Sequence, residues 1–192
     1  MVIPVYQGEE TLPDLLREFE PLTSEQQTPG GRTFRIEEVL LVWDRGPGRS
    51  DQVLRSLADK YPFVRPVWLS RNFGQHAATL AGMTSSGGDG IVTMDEDGQQ
   101  EPAFIAAMVD CAYEQQAQLV YGTPTNPPPH SWFRNAASKT VKKIFAGALA
   151  EGGFAEFNSY RLVLGEVGRS VAAYTGTGVY LDVALSWVVA DV

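Results

Sequence analysis

Short apolar runs alternate with helical patterns along most of the chain, which predicts a mostly parallel sheet covered by helices, an α/β fold. Val2–Tyr6 reads as the first strand. A helix follows near Glu10–Leu22, with Leu12, Leu15, Leu16 and Phe19 spaced to share one face. A polar linker, Thr23–Arg32, precedes a strand over Phe34–Trp43. Asp51 is placed to cap the next helix, whose Val53, Leu54 and Leu57 face inward. Val64–Leu69 is the third strand, Gly74–Thr84 an alanine-rich helix and Gly90–Met94 the fourth strand. Pro102 fits the first turn of a helix reaching Gln116, and Leu119–Gly122 is a short strand.

Beyond that point the pattern loosens. Pro124–Pro129 ends in three consecutive prolines and reads as an irregular loop. Trp132–Leu149 reads as a helix carrying Arg134, Lys139, Lys142 and Lys143 amid Trp132, Val141, Ile144 and Phe145. A basic amphipathic helix in an acidic protein suits a membrane surface, or else an ordinary solvated face. Gly152-Gly153 then breaks the chain before a strand over Phe157–Leu162, a helix over Gly165–Tyr174 and an apolar, helical Val179–Val189. Both ends read as cut, because a strand starts at once and the chain stops in an apolar stretch. The expectation is one domain over residues 1–192, cut from a longer protein.

Composition narrows the classes. The length of 192 residues suits one domain, and 44% hydrophobic with 20% charged residues is ordinary for a globular chain. A net charge of −8 repels a polyanion, so nucleic acid is a poor partner. One cysteine, Cys111, and two histidines, His76 and His130, leave no disulfide framework and no cysteine- or histidine-rich zinc site. No apolar run reaches the roughly 18 residues that a membrane span needs.

The candidate chemistry lies in Val92-Thr93-Met94-Asp95-Glu96-Asp97. Residues two apart in a strand point to the same side, so Asp95 and Asp97 are expected to converge where the strand ends. Open α/β sheets bind ligands at that edge. Two hard oxygen ligands there suit Mg2+ or Mn2+, with substrate phosphates completing the shell. The bland alternative is a pair of solvated turn residues.

Five separated motifs now carry a resemblance. Pro4-Val5-Tyr6-Gln7-Gly8-Glu9-Glu10 resembles the Pro-x-Tyr-Asn-Glu-Glu opening of glycosyltransferase family 2. Val42-Trp43-Asp44-Arg45-Gly46 with Asp51 resembles its Val-Asp-Asp-Gly-Ser-x-Asp turn. Ser70-Arg71-Asn72-Phe73-Gly74 is similar to the Arg-Asn-x-Gly segment of the polyprenyl-phosphate and dolichol-phosphate branch. Asp95-Glu96-Asp97-Gly98-Gln99-Gln100-Glu101-Pro102 resembles that branch's Asp-Ala-Asp-Leu-Gln-x-Pro-Pro, and Ser159-Tyr160-Arg161-Leu162 its Gly-Phe-Arg-Leu.

The resemblance implies a GT-A fold and an inverting enzyme that moves one sugar from a nucleotide diphosphate to a polyprenyl phosphate. It implies a place at the cytoplasmic face of a membrane, with C-terminal membrane segments beyond this chain, and it admits a homo-oligomer. Asp95, Asp97 and Gln99 become the implied metal or diphosphate site. Pro4, Tyr6 and Glu9 are implied nucleotide contacts, although Tyr6 could equally be core. Asp44 is implied in base recognition, against a plain turn aspartate. Arg71 would reach a phosphate or brace Asp97. Arg161 is the candidate cation for the sugar diphosphate or acceptor phosphate. Arg134, Lys139 and Lys143 would receive the acceptor phosphate at the membrane.

Asp182 is the candidate catalytic base, against a helix-start charge. A lipid phosphate is already anionic and needs little deprotonation, so positioning and electrostatics would suffice without a strong base. An acceptor hydroxyl, on a saccharide or protein, would make the base essential. The non-enzymatic alternative is a module that binds a nucleotide sugar and transfers nothing. The chain departs from the family pattern at Gln7, Gly8, Trp43 and Gly98, and Tyr121-Gly122 runs into Thr123-Pro124 where an arginine is often found.

Overall fold

The structure is a computed structural model that describes residues 1–122, 158–176 and 178–189. The chain forms two compact units, residues 1–122 with 159–192, and residues 123–158. The Pro124–Pro129 loop, the Trp132–Leu149 helix with Arg134, Lys139 and Lys143, and the start of the Phe157–Leu162 strand lie outside the described residues.

The first unit holds a six-stranded sheet. Its elements in chain order are β1 (Val2–Val5), α1 (Leu12–Phe19), the two-residue strands β2 (Gln26–Gln27) and β3 (Thr33–Phe34), β4 (Val39–Trp43), α2 (Ser50–Lys60), β5 (Val64–Trp68) and α3 (Gln75–Ser85). They continue with β6 (Gly90–Thr93), α4 (Ile105–Glu114), β7 (Leu119–Tyr121), β8 (Arg161–Leu164), α5 (Gly165–Tyr174) and α6 (Leu181–Ser186). The sheet order is β5-β4-β1-β6-β8-β7, while β2 and β3 form a separate ribbon. Strands β5, β4, β1 and β6 run parallel, and β8 is antiparallel to both of its neighbours.

Alternation along the strands divides the core. Ile3, Val5, Val39, Leu41 and Val92 pack with Leu12, Leu16 and Phe19 of α1, Leu54 of α2 and Ile105 of α4. Val2, Leu40, Val42 and Ile91 pack on the other face with Ala78 and Met83 of α3, Val171 of α5 and Leu185 of α6. A sheet buried on both faces needs strands that are apolar throughout, and β4 reads Val-Leu-Leu-Val-Trp.

Four expectations need correction. Asp51 does not cap α2: Arg49 stands at the N-cap and Asp51 lies inside the first turn. The strand expected over Phe157–Leu162 is, among the described residues, β8 over Arg161–Leu164. The strand expected over Phe34–Trp43 is two strands: Thr33–Phe34 pairs with the small ribbon, and β4 starts only at Val39. Polar Arg35, Glu37 and Glu38 interrupt the apolar run. The helix expected to reach Leu22 ends at Phe19, and Pro21 then sits in a 3-10 turn over Glu20–Thr23.

Candidate active site

Chain order reverses direction in the sheet between β1 and β6, because β1 leads to β4 and β5 on one side and β6 lies on the other. Such a switch point opens a crevice at the carboxyl ends of the strands. Strand β1 pairs with β4 along Val2–Val5 but with β6 only at Val2 and Thr93. Met94 N donates to Val2 O on the β6 side, whereas Leu40 N and Asp44 N donate to Met1 O and Val5 O on the β4 side. Pro4 shares Val2's side, so its missing N–H falls where β6 has already parted from β1. That placement explains how a proline sits in a central strand.

The acids cluster at this edge, though not as strand residues. β6 ends at Thr93, so the two-residue period does not govern Asp95 and Asp97. A turn follows, with Gly98 at φ 71°. Asp95 is half-buried and accepts from Gln75 Nε2 (2.5 Å), Ser159 Oγ (2.5 Å) and Gln100 Nε2 (3.1 Å). Burial pushes its carboxyl above the usual range, and the like charge of Asp97 pushes the same way against the hydrogen bonds and Arg161. Asp97 and Gln99 are exposed, and Asp97 Oδ1 accepts from Gln99 N at 3.1 Å.

Glu96 between them faces the β1 loop. Its Oε2 accepts from Tyr6 N and its Oε1 from Gln7 N, each at 3.0 Å. Burial raises its pKa, opposed by those two amides and reinforced by Asp97 and Glu9.

The other predicted residues divide between walls and braces. Tyr6 is exposed at the end of β1. Glu9 holds the Ser50 hydroxyl at the start of α2, and this bond lowers the carboxyl's pKa. Asp44 is turned inward and only 4% exposed, accepting from Phe73 N (2.7 Å) and Gly74 N (2.8 Å). It shapes the loop that enters α3, where Gly74 adopts φ 88°. Arg71 is exposed with its guanidinium 4.3 Å from the Phe73 ring centre, and among the described residues it forms no ion pair with Asp97.

Arg161 and Asp182 pair with each other. Their side chains are 5% and 7% exposed, and Asp182 also accepts from Tyr121 OH at 2.9 Å. Arg161, the candidate cation for a phosphate, and Asp182, the candidate base, are thus paired inside the unit. Among the described residues, Arg161 Nε is buried without a hydrogen-bond partner. His76 stacks at 4.4 Å on Tyr180, and burial lowers its pKa, with Asp182 opposing and Arg161 assisting.

Sequence reasoning missed the partners that hold Asp95, namely Gln75, Gln100 and Ser159. Ser159 and Gln100 stood inside quoted motifs, but no spacing signal ties position 75 or 159 to position 95. It also gave Glu96 no role, although an acid between two acids is itself a signal that something must hold it.

The donor set fits a hard divalent cation. All side-chain donors are oxygens, and the acidic turn carries negative charge that its neutral amide and hydroxyl partners do not cancel. Among the described residues no three His, Cys, Asp or Glu side chains form a cage. Mg2+ characteristically takes only one or two carboxylates and completes its shell with water and phosphate, so Asp95 and Asp97 need no third acid beside them.

A mostly parallel sheet, helices on both faces and acids at the switch point define an α/β domain of the GT-A kind. The chain belongs to the family described as Glycosyl transferase family 2, whose model matches residues 1–170. Among curated proteins it is 36% identical over 146 residues to an undecaprenyl-phosphate 4-deoxy-4-formamido-L-arabinose transferase from Edwardsiella ictaluri, covering 75% of this chain and 42% of that protein. The transferase of the same name from Pectobacterium carotovorum is 37% identical over 145 residues, with 75% and 42% covered. The chain therefore spans less than half the length of these relatives. Among solved structures it is similar to glucosyl-3-phosphoglycerate synthase from Mycobacterium tuberculosis, crystallised with Mn2+, uridine-diphosphate-glucose and phosphoglyceric acid. That likeness has a TM-score of 0.63 at 15% identity, covers 86% of this chain and 56% of the other, and shows the fold alone.

Proposed function

We propose that this domain binds a nucleotide-diphosphate sugar at the β1/β6 switch point and transfers the sugar to a polyprenyl phosphate, with inversion. The carrying observation is the acidic turn Asp95–Asp97 set where β1 and β6 part. Family membership and the names of the curated relatives support the donor and acceptor classes. In this reading Pro4 and Tyr6 line the nucleotide floor, Glu9 and Asp44 fix the loops around it, and Arg71 offers an exposed cation to a phosphate. Asp95, Asp97 and Gln99 would hold Mn2+ or Mg2+, which when bound supplies positive charge to the departing diphosphate. Arg134, Lys139 and Lys143 are proposed to meet the acceptor phosphate at the cytoplasmic face of the membrane.

The Asp182–Arg161 pair favours a phosphate acceptor over a hydroxyl. Asp182 Oδ1 already accepts from Arg161 and Tyr121, so the carboxylate is committed to partners within its own unit. An anionic acceptor needs no base, so the chain's task reduces to placing the acceptor oxygen against the sugar carbon and excluding water.

The test is a transfer assay offering UDP- and GDP-linked sugars with undecaprenyl phosphate in detergent micelles and Mn2+. A glycosyl-polyprenyl phosphate product is expected. Sugar transfer to a saccharide hydroxyl, with none to the lipid phosphate, would replace this reading with the hydroxyl-acceptor one. Nucleotide binding with no transfer to either would leave a binding module.

A further inference from the structure

We infer that Glu96 is a positioning residue that locks the loop after β1 to the acidic turn after β6, so that the two walls of the crevice hold one spacing. The inference rests on the proposed donor site for its consequence, but the lock stands on geometry alone.

Three groups of the Tyr6–Thr11 loop grip this one residue. Tyr6 N and Gln7 N donate to the two oxygens of its carboxylate, and Thr11 Oγ1 donates to its backbone O at 2.5 Å. Thr11 stands at the N-cap of α1, where a threonine hydroxyl ordinarily satisfies the helix's own first amides. Here it makes no such cap bond. The hydroxyl serves the inter-loop contact and not the helix end.

The loop is also fitted around the carboxylate. A Cβ at Gly8 would meet Glu96 Oε2 at 2.6 Å and Leu12 Cγ at 2.8 Å. On the far side, a Cβ at Gly46 would meet Tyr6 O at 1.7 Å. The backbone at Tyr6 and Gln7 is thus held between the β4 loop and the Glu96 carboxylate. Neighbouring Asp97 and Glu9 repel that carboxylate, yet it stays on the two amides that follow β1. Bonds from two amides to one carboxylate are charge-assisted and geometrically selective, as a locking contact requires.

Glu96→Ala and Glu96→Gln in the full chain test this with two readouts. The first is hydrogen exchange at the Tyr6 and Gln7 amides without ligand. The second is affinity for UDP and for GDP in the presence of Mn2+. Removing both acceptors should speed exchange at these two amides and weaken nucleotide binding, each by about tenfold or more, given the usual worth of bonds to a charged group. Glu96→Gln keeps one carbonyl oxygen and should fall between, a graded rescue that general loss of stability would not produce. Gly8→Ala leaves Glu96 in place but crowds it, and should speed exchange at the same two amides. Unchanged exchange in Glu96→Ala would overturn the lock. Faster exchange with unchanged nucleotide affinity would overturn its positioning role. If the wild-type chain bound neither nucleotide, the donor-site reading would fail, and the exchange result would still decide the lock.

Discussion

Two carboxylates in this domain each hold loops together, and they are built in opposite ways. Asp110 on α4 accepts from Thr28 Oγ1 (2.5 Å), Gly30 N (2.7 Å) and the Arg32 guanidinium (3.2 Å). Those bonds, led by Thr28, hold its carboxyl below the usual range. Among the described residues Asp95 accepts from amide and hydroxyl donors alone, lies beside Asp97, and has its pKa raised by burial. Asp110 is therefore a finished structural anchor, with a cation among its partners. Among the described residues no cation forms an ion pair with Asp95 or Asp97, and Arg161 acts on Asp95 only at longer range. A perturbed acid in a crevice is a candidate for function, and more so where no described cation pairs with it directly.

The contrast can be broken in order of effect. Asp97→Asn should weaken Mn2+-dependent nucleotide binding by about a hundredfold or more, since loss of outer-shell partners alone often costs 10–100-fold. Titration calorimetry with and without Mn2+ measures it, and the ligand-free Tm should not move. Asp182→Asn should destabilise the fold by about 3 kcal/mol, because it strips a buried guanidinium of its counter-charge. Denaturant unfolding reads that loss. Turnover per folded molecule with a phosphate acceptor should remain within about tenfold of wild type, below the usual range for losing a general base.

Asp110→Asn should lower Tm by about 5 °C at neutral pH and leave nucleotide affinity alone. The acid limb sharpens the comparison further. Asp110 has a depressed pKa, so its contribution is complete above the unfolded carboxyl value and is lost as pH falls through its folded value. Asp95 has a raised pKa, so its ionised form opposes folding at neutral pH, and that penalty fades as pH falls below its folded value. Stability measured from pH 7 downward should thus fall less steeply in Asp110→Asn than in wild type, and slightly more steeply in Asp95→Asn.

Much of this was legible in the residues. The strand–helix alternation gave the sheet and its covering helices because strands buried on both faces are continuously apolar. The acidic pair was found by its place after an apolar run, although the reason offered for its convergence, strand alternation, gives way to a turn through Gly98. The sequence motif singled out Asp44, but its inward direction depends on amides at Phe73 and Gly74, about thirty positions away in sequence. The Arg161–Asp182 pair joins β8 to α6, and neither residue's surroundings signal the other. Long-range hydrogen bonds of this sort set the direction of a side chain, and a local pattern fixes only its element.

The most direct test of the account is calorimetric titration of the chain with UDP, GDP, CDP and ADP, each with and without Mn2+. The account predicts saturable binding of at least one nucleotide that requires Mn2+ and disappears in Asp97→Asn. Binding that is indifferent to Mn2+ and to Asp97, or absent for all four nucleotides, would contradict it.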